Sequence, residues 1–318
     1  MEERKCHITS IGGQAVIEGV MMRGPKDIAV AVRKPDGEIE IDKKPISSLL
    51  LKHKWLKLPI IRGVVSFIES LIVGTKALMW SASFFDIEEE EDKKKKEEMS
   101  EEERKKFEAK ESRALNAAIY FSVVLALVFG IGIFMLLPTF LVGFVKDFLP
   151  TGFLATLLEG IIRIIIFIVY IALVSQMKDI RRVFEYHGAE HKTIFCYESG
   201  AELTPENARK FSRLHPRCGT SFLLIVMVIS IILFSFISWN NPWTRIIIRL
   251  ALLPVVAGLS YEVIKFAGRS KSKFMKIVSM PGMWLQRITT REPDDSQLEV
   301  AIASLKSVLT GNSEDDKW

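Results

Sequence analysis

Four stretches of this sequence are long and almost entirely apolar, and they constrain the fold more than any other feature. A helix needs roughly 20 mostly apolar residues to cross the hydrocarbon core of a bilayer. The windows 115–137, 153–175, 221–239 and 246–266 meet that requirement. The chain is 49% hydrophobic and 25% charged. Both fractions are compatible with long apolar windows, since the charged residues are concentrated in other segments. We therefore predict a mainly α-helical, polytopic membrane protein with about four transmembrane helices.

A fifth apolar stretch, residues 55–85, contains Pro59, Arg62 and Glu69. These residues are costly beside lipid, so we predict an amphipathic or re-entrant helix there instead of a span. Residues 86–113 are mostly Glu and Lys. They predict either a charged helix or a disordered linker.

The positions of Lys and Arg predict the orientation of the four windows. Basic residues are concentrated in segments 93–113, 178–217 and 265–276, whereas the two opposite connections offer only Lys146 and Arg245. Cytoplasmic loops carry the excess of positive charge in membrane proteins. We therefore expect the three basic segments, the N-terminus and the C-terminus to be cytoplasmic.

The parts outside the apolar windows predict smaller elements. Residues 28–32 and 38–41 read as strands around a turn at 35–37, which predicts a small β-rich element in residues 1–54. The four-helix membrane domain would occupy 114–269, with a cytoplasmic hairpin at 178–220. Residues 270–318 would form a C-terminal cytoplasmic segment, with an amphipathic helix that follows Glu292 and carries apolar positions 298, 301, 302, 305 and 309.

Composition excludes several classes of protein. The sequence contains only Cys6, Cys196 and Cys218, so we expect no disulfide framework, and the thiols are free to bind metal. The first residues do not lead into an apolar run, so no cleavable signal peptide is expected. No basic stretch is interleaved with aromatic residues, so we expect no nucleic-acid partner.

The cytoplasmic hairpin carries the clearest chemical pattern. His187 and His191 lie four residues apart, so on a helix they share one face and can bind one ion, with Glu190 beside them. The order His-x-x-Glu-His is found in inverted zinc hydrolases, where the Glu acts as a general base. Gly188 counts against a regular helix at this point.

A second part of the hairpin supplies two more candidate ligands, His215 and Cys218. Gly200 predicts the end of one helix, and Thr204-Pro-Glu predicts the start of another that runs to about Leu214. Such a hairpin would bring His187, His191, His215 and Cys218 together as a zinc site. If all four bind, the site is structural. If Cys218 stays off the metal, a position is open and Glu190 serves as the base. Histidines that cap helices or bond lipid phosphates are the non-metal alternative.

The Gly-rich segment 11–25 is the second constellation. Its four glycines and one proline require tight turns, and they present Gln14, Glu18 and Arg23 among apolar neighbours. Glu18 is a candidate acid/base group or ligand, and Arg23 could hold an anion or Glu18 itself. A tightly turned structural β element explains the segment equally well. Within the apolar windows, Glu159 and Arg163 are spaced to form an ion pair, and Glu262 could reach the metal site.

Four motifs together resemble one family. They are Gly-Gly-Gln-Ala-Val-Ile-Glu-Gly-Val-Met-Met-Arg-Gly at 12–24, Tyr-His-Gly-Ala-Glu-His-Lys at 186–192, His-Pro-Arg-Cys-Gly-Thr-Ser at 215–221 and Thr-Thr-Arg-Glu-Pro-Asp-Asp at 289–295. With them, nearly the whole chain is similar to the YqhQ family of bacterial membrane proteins. The resemblance implies a multi-pass protein of the bacterial plasma membrane that is catalogued as a predicted metal-dependent enzyme. It implies no substrate.

These observations predict a metal-dependent hydrolase at the cytoplasmic face of the bilayer, with zinc or another divalent metal as cofactor and with Glu190 and Glu18 as candidate catalytic residues. The substrate would be a lipid-linked molecule, a membrane peptide or a small amide. The alternative is a non-enzymatic scaffold or assembly factor with a structural metal site. A transporter is disfavoured, because no inverted repeat is apparent. The lipid bilayer is the expected partner, and the sequence does not distinguish a monomer from a homo-oligomer.

Overall fold

The computed structural model describes residues 8–49, 53–85, 100–145, 148, 152–236, 242–269, 272–312 and 314–316. The chain divides into two compact units. We call Met1–Phe84 with Ile168–Trp318 the sheet unit, and Phe85–Phe167 the second unit. The predicted N-terminal element, cytoplasmic hairpin and C-terminal segment therefore belong to one body, because they bury their apolar faces against one another.

The sheet has four antiparallel strands in the order of the sequence. Glu18, at the first turn, has a φ of +50°, and Gly37, at the third turn, has a φ of +88°. At the third turn, a glycine such as Gly37 adopts the left-handed conformation without a steric penalty. The predicted small β-rich element is confirmed. Its strands are β1 Gly12–Val16, β2 Gly19–Arg23, β3 Asp27–Arg33 and β4 Ile39–Pro45.

Helices make up most of the remaining described residues, as predicted. A short 3₁₀ turn, Lys54–Lys57, precedes the first helix, and a π-helical turn, Gly132–Leu136, links the second helix to the third. The helices are α1 Ile61–Ala82, α2 Glu101–Ile131, α3 Leu137–Gly143, α4 Gly152–Val174, α5 Lys178–Glu198, α6 Pro205–Ala208, α7 Gly219–Ser235, α8 Pro242–Arg269, α9 Lys273–Thr289 and α10 Asp295–Val308.

Among the described residues, four helices are long and apolar enough to cross a membrane: Ile61–Ala82, Phe121–Gly143, Phe153–Val174 and Ile246–Phe266. The number of candidate spans agrees with the prediction, but two of the segments differ from the predicted ones. Helix α1, in the predicted amphipathic or re-entrant stretch, is one of the four. The window 221–239 contains only the shorter apolar segment Leu223–Ser235, and residues 237–239 lie outside the described residues.

The charges that argued against a span in α1 have partners. Glu69 accepts hydrogen bonds from the Ser48 hydroxyl, at 3.0 and 2.9 Å, and from the Leu49 amide at 2.7 Å. Arg62 forms a two-point ion pair with Glu262 of α8. Glu262 therefore takes part in helix packing, and it does not line the candidate site described below.

The second unit contains the ion pair that the spacing predicted. Arg163 donates to Glu159 at 3.0 Å, and both side chains are nearly buried. Glu159 also accepts from the Thr139 hydroxyl at 2.9 Å, and Arg163 donates to the Phe134 carbonyl oxygen at 2.8 Å. Within the charged segment, residues 86–99 lie outside the described residues. Residues 101–113 are the start of α2, with a capping box between Ser100 and Glu103.

Helix α10 forms the predicted amphipathic helix and covers one face of the sheet. Asp294 caps it, in a reciprocal capping box with Gln297. Leu298 and Leu305 are fully buried against strand residues such as Val20 and Met22. This core also includes residues of α5, so it fixes the helix that carries the histidines relative to the sheet.

The loop after α5 is less helical than predicted. Gly200, with a φ of +77°, follows the end of α5 as expected, and Thr204 caps α6. The prediction that this helix runs to about Leu214 was wrong, because α6 ends at Ala208. The buried Lys192 ammonium donates to the carbonyl oxygens of Arg209 and Phe211, at 3.0 and 2.8 Å, and thereby holds the chain in a non-helical turn.

Candidate metal site

Helix α5 places His187, Glu190 and His191 on one side despite the glycine at 188. A Cβ atom added to Gly188 would lie 2.0 Å from the carbonyl oxygen of Arg291. The glycine thus lets the segment after α9 approach the helix, where the Arg291 amide donates to the Phe184 carbonyl oxygen at 2.8 Å. Close approach of two backbones explains this glycine, and the helix is unbroken from Lys178 to Glu198.

Two backbone carbonyl groups orient the imidazoles. His187 Nδ1 lies 2.8 Å from the carbonyl oxygen of Thr289, and His191 Nδ1 lies 2.6 Å from that of Arg213. A carbonyl oxygen only accepts, so each Nδ1 carries a proton and each neutral ring keeps its lone pair on Nε2. This is the arrangement that fixes metal-binding histidines in proteins. His191 is 1% exposed, and its Nε2 has no hydrogen-bond partner among the described residues.

Cys218 completes a group of three donor atoms. It is the N-cap residue of α7, and its Sγ lies 3.2 Å from His187 Nε2. Ligand atoms of His187, His191 and Cys218 all lie within 4.8 Å of one another. Two imidazole nitrogens and one thiol are a donor set that suits zinc. The described residues therefore fit a divalent metal at this point.

His215 lies beside this group but does not belong to it. Its ring centre is 5.4 Å from that of His191. Its Nδ1 accepts from the Arg217 amide at 3.3 Å, and its Nε2 lies 3.2 Å from the Arg217 guanidinium. Burial lowers the pKa of His215, and neighbouring His191 and Arg217 lower it further. Both ring nitrogens of His215 lie against Arg217, whose positive charge disfavours a cation there. Among the described residues, the donor atoms of three of the four predicted ligands therefore converge, and His215 is not one of them.

Glu190 lies at the edge of the group. Its Oε2 is 4.0 Å from His187 Nε2, and its carboxylate is almost completely buried. Burial raises the pKa of Glu190, while His187 and the Gly13 amide, which donates to the carboxylate, oppose that rise. A Cβ atom on Gly13 would lie 3.1 Å from Glu190 Cδ, so this glycine lets β1 approach the carboxylate.

The structure places Glu18 elsewhere. Its carboxylate forms a two-point ion pair with Arg182 of α5, and it accepts from the Tyr186 hydroxyl at 3.2 Å. The bond to Glu18 raises the pKa of Arg182. Glu18 lies outside the cavity lining. These contacts fasten the β1–β2 turn to α5, so Glu18 lies apart from the candidate metal ligands.

A cavity of about 280 Å³ opens beside the donor atoms. Glu190, His191 and Cys218 form one wall, and β1, β2 and α1 supply others. The remaining polar lining residues are Thr9, Ser10, Gln14, Arg23, Ser70, His215 and Arg217, and the apolar lining residues include Ile11, Met21, Val73 and Ile194. The buried donors therefore have access to a space large enough for a small ligand or the polar end of a larger one.

Several residues that support the site could not be recognised as such in the sequence. Gln286 of α9 accepts from the His215 amide at 2.7 Å and donates to the His215 carbonyl oxygen at 2.8 Å. Arg213 donates to Thr290, while Lys192 forms an ion pair with Glu292 at 2.9 Å. In the sequence, the motif at 289–295 was the one sign that this region supports the site. Its packing against α5 could not be inferred from its composition.

Comparison with known proteins identifies relatives of this chain. The family model described as "Protein of unknown function (DUF1385)" matches residues 58–311. The "Uncharacterized protein YqhQ" of Bacillus subtilis (strain 168) is 36% identical over 303 residues, which cover 94% of this chain and 92% of that protein. No solved structure matches. Neither description names an activity or a substrate.

Proposed function

This chain belongs to the DUF1385 family, as its resemblance to YqhQ predicted, and we propose that it is a membrane-embedded, zinc-dependent hydrolase. His187, His191 and Cys218 would hold the metal. The substrate would react in the cavity beside them. The activity would lie at the cytoplasmic face of the bacterial plasma membrane.

The observation that carries this proposal is the state of His191. Its Nε2 is buried, has no hydrogen-bond partner among the described residues, and belongs to a group of three converging donor atoms. Leaving a buried polar atom unsatisfied costs about 1–3 kcal/mol. A metal ion would satisfy the Nε2 lone pairs of both histidines and the Cys218 thiolate at once.

The ligand count supports catalysis over a purely structural site. Structural zinc sites are closed by four protein ligands, whereas catalytic sites have three and keep one position open. When bound, zinc acts as a Lewis acid that lowers the pKa of water. Hydrolysis joins the water oxygen to the electrophilic atom and breaks its bond to the leaving group. Glu190 would carry the proton from the water to the leaving group.

Membrane insertion is supported by side chains that face outward on the long apolar helices. On α1, Ile68, Leu71 and Ile72 are 49–54% exposed. On α2, Val124, Leu127 and Val128 are 59–62% exposed. Such surfaces are unfavourable in water and are expected beside lipid. The Lys and Arg asymmetry then favours cytoplasmic termini.

The first test is metal content. Protein purified in detergent without chelator should contain about one equivalent of zinc or a similar divalent ion. A His187→Ala, His191→Ala double variant should contain none, because it loses both imidazole ligands. A His53→Ala variant is the matched control, since His53 is exposed and outside the group. Elemental analysis that finds no metal in the unaltered protein would refute the proposal.

The second test separates a hydrolase from a scaffold. Glu190→Gln keeps the acceptor for the Gly13 amide but removes the charge that takes a proton. We expect normal metal content and thermal stability, with complete loss of complementation in a deletion strain. Glu185→Gln, on the same helix but outside the cavity, should complement. If Glu190→Gln complements fully with metal bound, the catalytic role fails and the scaffold with a structural metal site is favoured.

A further inference from the structure

Arg23 is a cation without a counterpart. It lines the cavity at the end of β2, is half-buried, and forms no ion pair or hydrogen bond with any other described residue. Several other arginines of the sheet unit form ion pairs, such as Arg33 with Glu299 and Arg182 with Glu18. A partly buried guanidinium with no anion is unfavourable in the free protein, and an anionic ligand would relieve that cost.

The strand pattern directs Arg23 into the cavity. Side chains alternate between the two faces of a strand. Val20 and Met22 of β2 lie in the core beneath α10, whereas Met21 and Arg23 line the cavity. Arg23 therefore shares a space with Glu190, His191 and Cys218, which belong to the facing helices.

The remaining walls of the cavity also favour an anion. The second guanidinium of the lining, Arg217, is bound to Glu198 at 2.5 Å, so Arg23 is the cation left to pair with a ligand. The 17-residue helix α7 begins at Gly219 in the cavity wall, which places the positive end of its dipole there. Among the described residues of the lining, Glu190 is the one carboxylate, and the Gly13 amide already donates to it.

We propose that the cavity binds a phosphate group, with Arg23 as its principal partner, and that the substrate of the site is a phosphate-bearing molecule. A phosphate offers several acceptor oxygens, which can engage the Arg23 fork, the Ser70 hydroxyl and the start of α7 together. This inference rests on the proposed function for the catalytic reading of the site, but Arg23 would bind phosphate whether or not metal is present.

The source of the phosphate is either a lipid head group or a small soluble molecule. The volume of about 280 Å³ accommodates a head group but not acyl chains. Ser70 and Val73 of the apolar helix α1 form part of the lining. That wall would allow a lipid to remain beside α1 while its phosphate enters the cavity.

The experiment measures binding by the full chain in detergent. Calorimetry with inorganic phosphate, glycerol 3-phosphate and dihexanoyl phosphatidic acid would be run on the metal-loaded and the chelator-treated protein. Arg23→Gln should weaken binding at least about tenfold in both states, because a charge-assisted interaction is lost. Arg23→Lys should weaken it less. Lys26→Gln is the matched control, because Lys26 is exposed and pairs with Asp315 outside the cavity.

The outcomes separate this inference from the proposed function. Phosphate binding that depends on Arg23 supports the inference even if no metal is found. Metal binding without phosphate binding, or phosphate binding unaffected by Arg23→Gln, overturns the inference and leaves the metal site standing. If only dihexanoyl phosphatidic acid binds tightly, the source is a lipid. If inorganic phosphate or glycerol 3-phosphate binds equally well, the source is soluble.

Discussion

At the scale of single residues, the candidate site depends on how backbone groups set two imidazole rings. Thr289 and Arg213 each present a carbonyl oxygen to Nδ1, so both rings offer Nε2 to the same point. Neither carbonyl belongs to α5. The motif at 289–295 thus contributes to the site through its backbone, although its own side chains are not candidate ligands.

Gly188→Ala tests this dependence. Its Cβ atom would meet the Arg291 carbonyl oxygen at 2.0 Å, so the segment after α9 must move and carry Thr289 with it. We expect a loss of about 1–3 kcal/mol in stability from overpacking and a roughly 10–100-fold loss of metal affinity from the misplaced acceptor. Competition with a metal chelator measures the affinity.

Gly130→Ala is the control for that substitution, because a Cβ atom there meets nothing within 4 Å. It should leave metal affinity unchanged. Equal affinities for Gly188→Ala and the unaltered protein would mean that the Thr289 carbonyl does not orient His187.

At the scale of elements, α10 holds the sheet against α5. Its buried face packs on β2 and β3, and its Ser304 hydroxyl donates to the Ala29 carbonyl oxygen at 3.0 Å. The same core contains Tyr186 and Ala189 of α5. Packing of this helix therefore fixes β2, with Arg23, relative to the histidines.

Leu305→Ala should weaken that packing. Leu305 is fully buried, and removal of a buried leucine side chain typically costs about 2–5 kcal/mol. Guanidinium unfolding in detergent would show a lower midpoint for Leu305→Ala. The neighbouring Lys306→Ala, at an exposed position, should change the midpoint little. Similar midpoints for the two variants would argue against α10 as a core helix.

At the scale of the whole molecule, the question is where the bilayer lies. In the part of the chain that the structure describes, four helices have the length and composition of spans. The basic segments favour one orientation for the loop that follows α5. The site would then face the cytoplasm, where thiols stay reduced and Cys218 remains available to a metal.

Thiol labelling tests this orientation. Ser199 is exposed just after α5, so a Ser199→Cys variant with Cys6, Cys196 and Cys218 replaced should resist a membrane-impermeant thiol reagent in intact cells. It should react fully once the cells are permeabilised. Labelling of intact cells would reverse the proposed topology, and the cysteine-free parent protein provides the background.

The sequence by itself determined the elements and the chemistry available to them. Hydrophobic length predicted the apolar helices, alternation predicted strands at 28–32 and 38–41, and capping residues predicted the C-terminal helix, because each signal is local. The i, i+4 spacing of His187 and His191 likewise predicts a shared helix face. The helix at 61–82 could also be predicted from its local sequence, but the partners of Arg62 and Glu69 lie outside that helix and could not.

Only the tertiary structure decided which candidates meet. The sequence left open a site in which Cys218 stays off the metal. In the structure, Cys218 faces His187, whereas the Nε2 of His215 lies against Arg217. Glu18 and Arg23 belong to one motif, but Glu18 pairs with Arg182, whereas Arg23 lines the cavity with no partner among the described residues. Glu18 and Arg182 are 164 positions apart, and His187 and Cys218 are 31 apart. Such contacts are set by the packing of a common core, so the local pattern of the sequence does not reveal them.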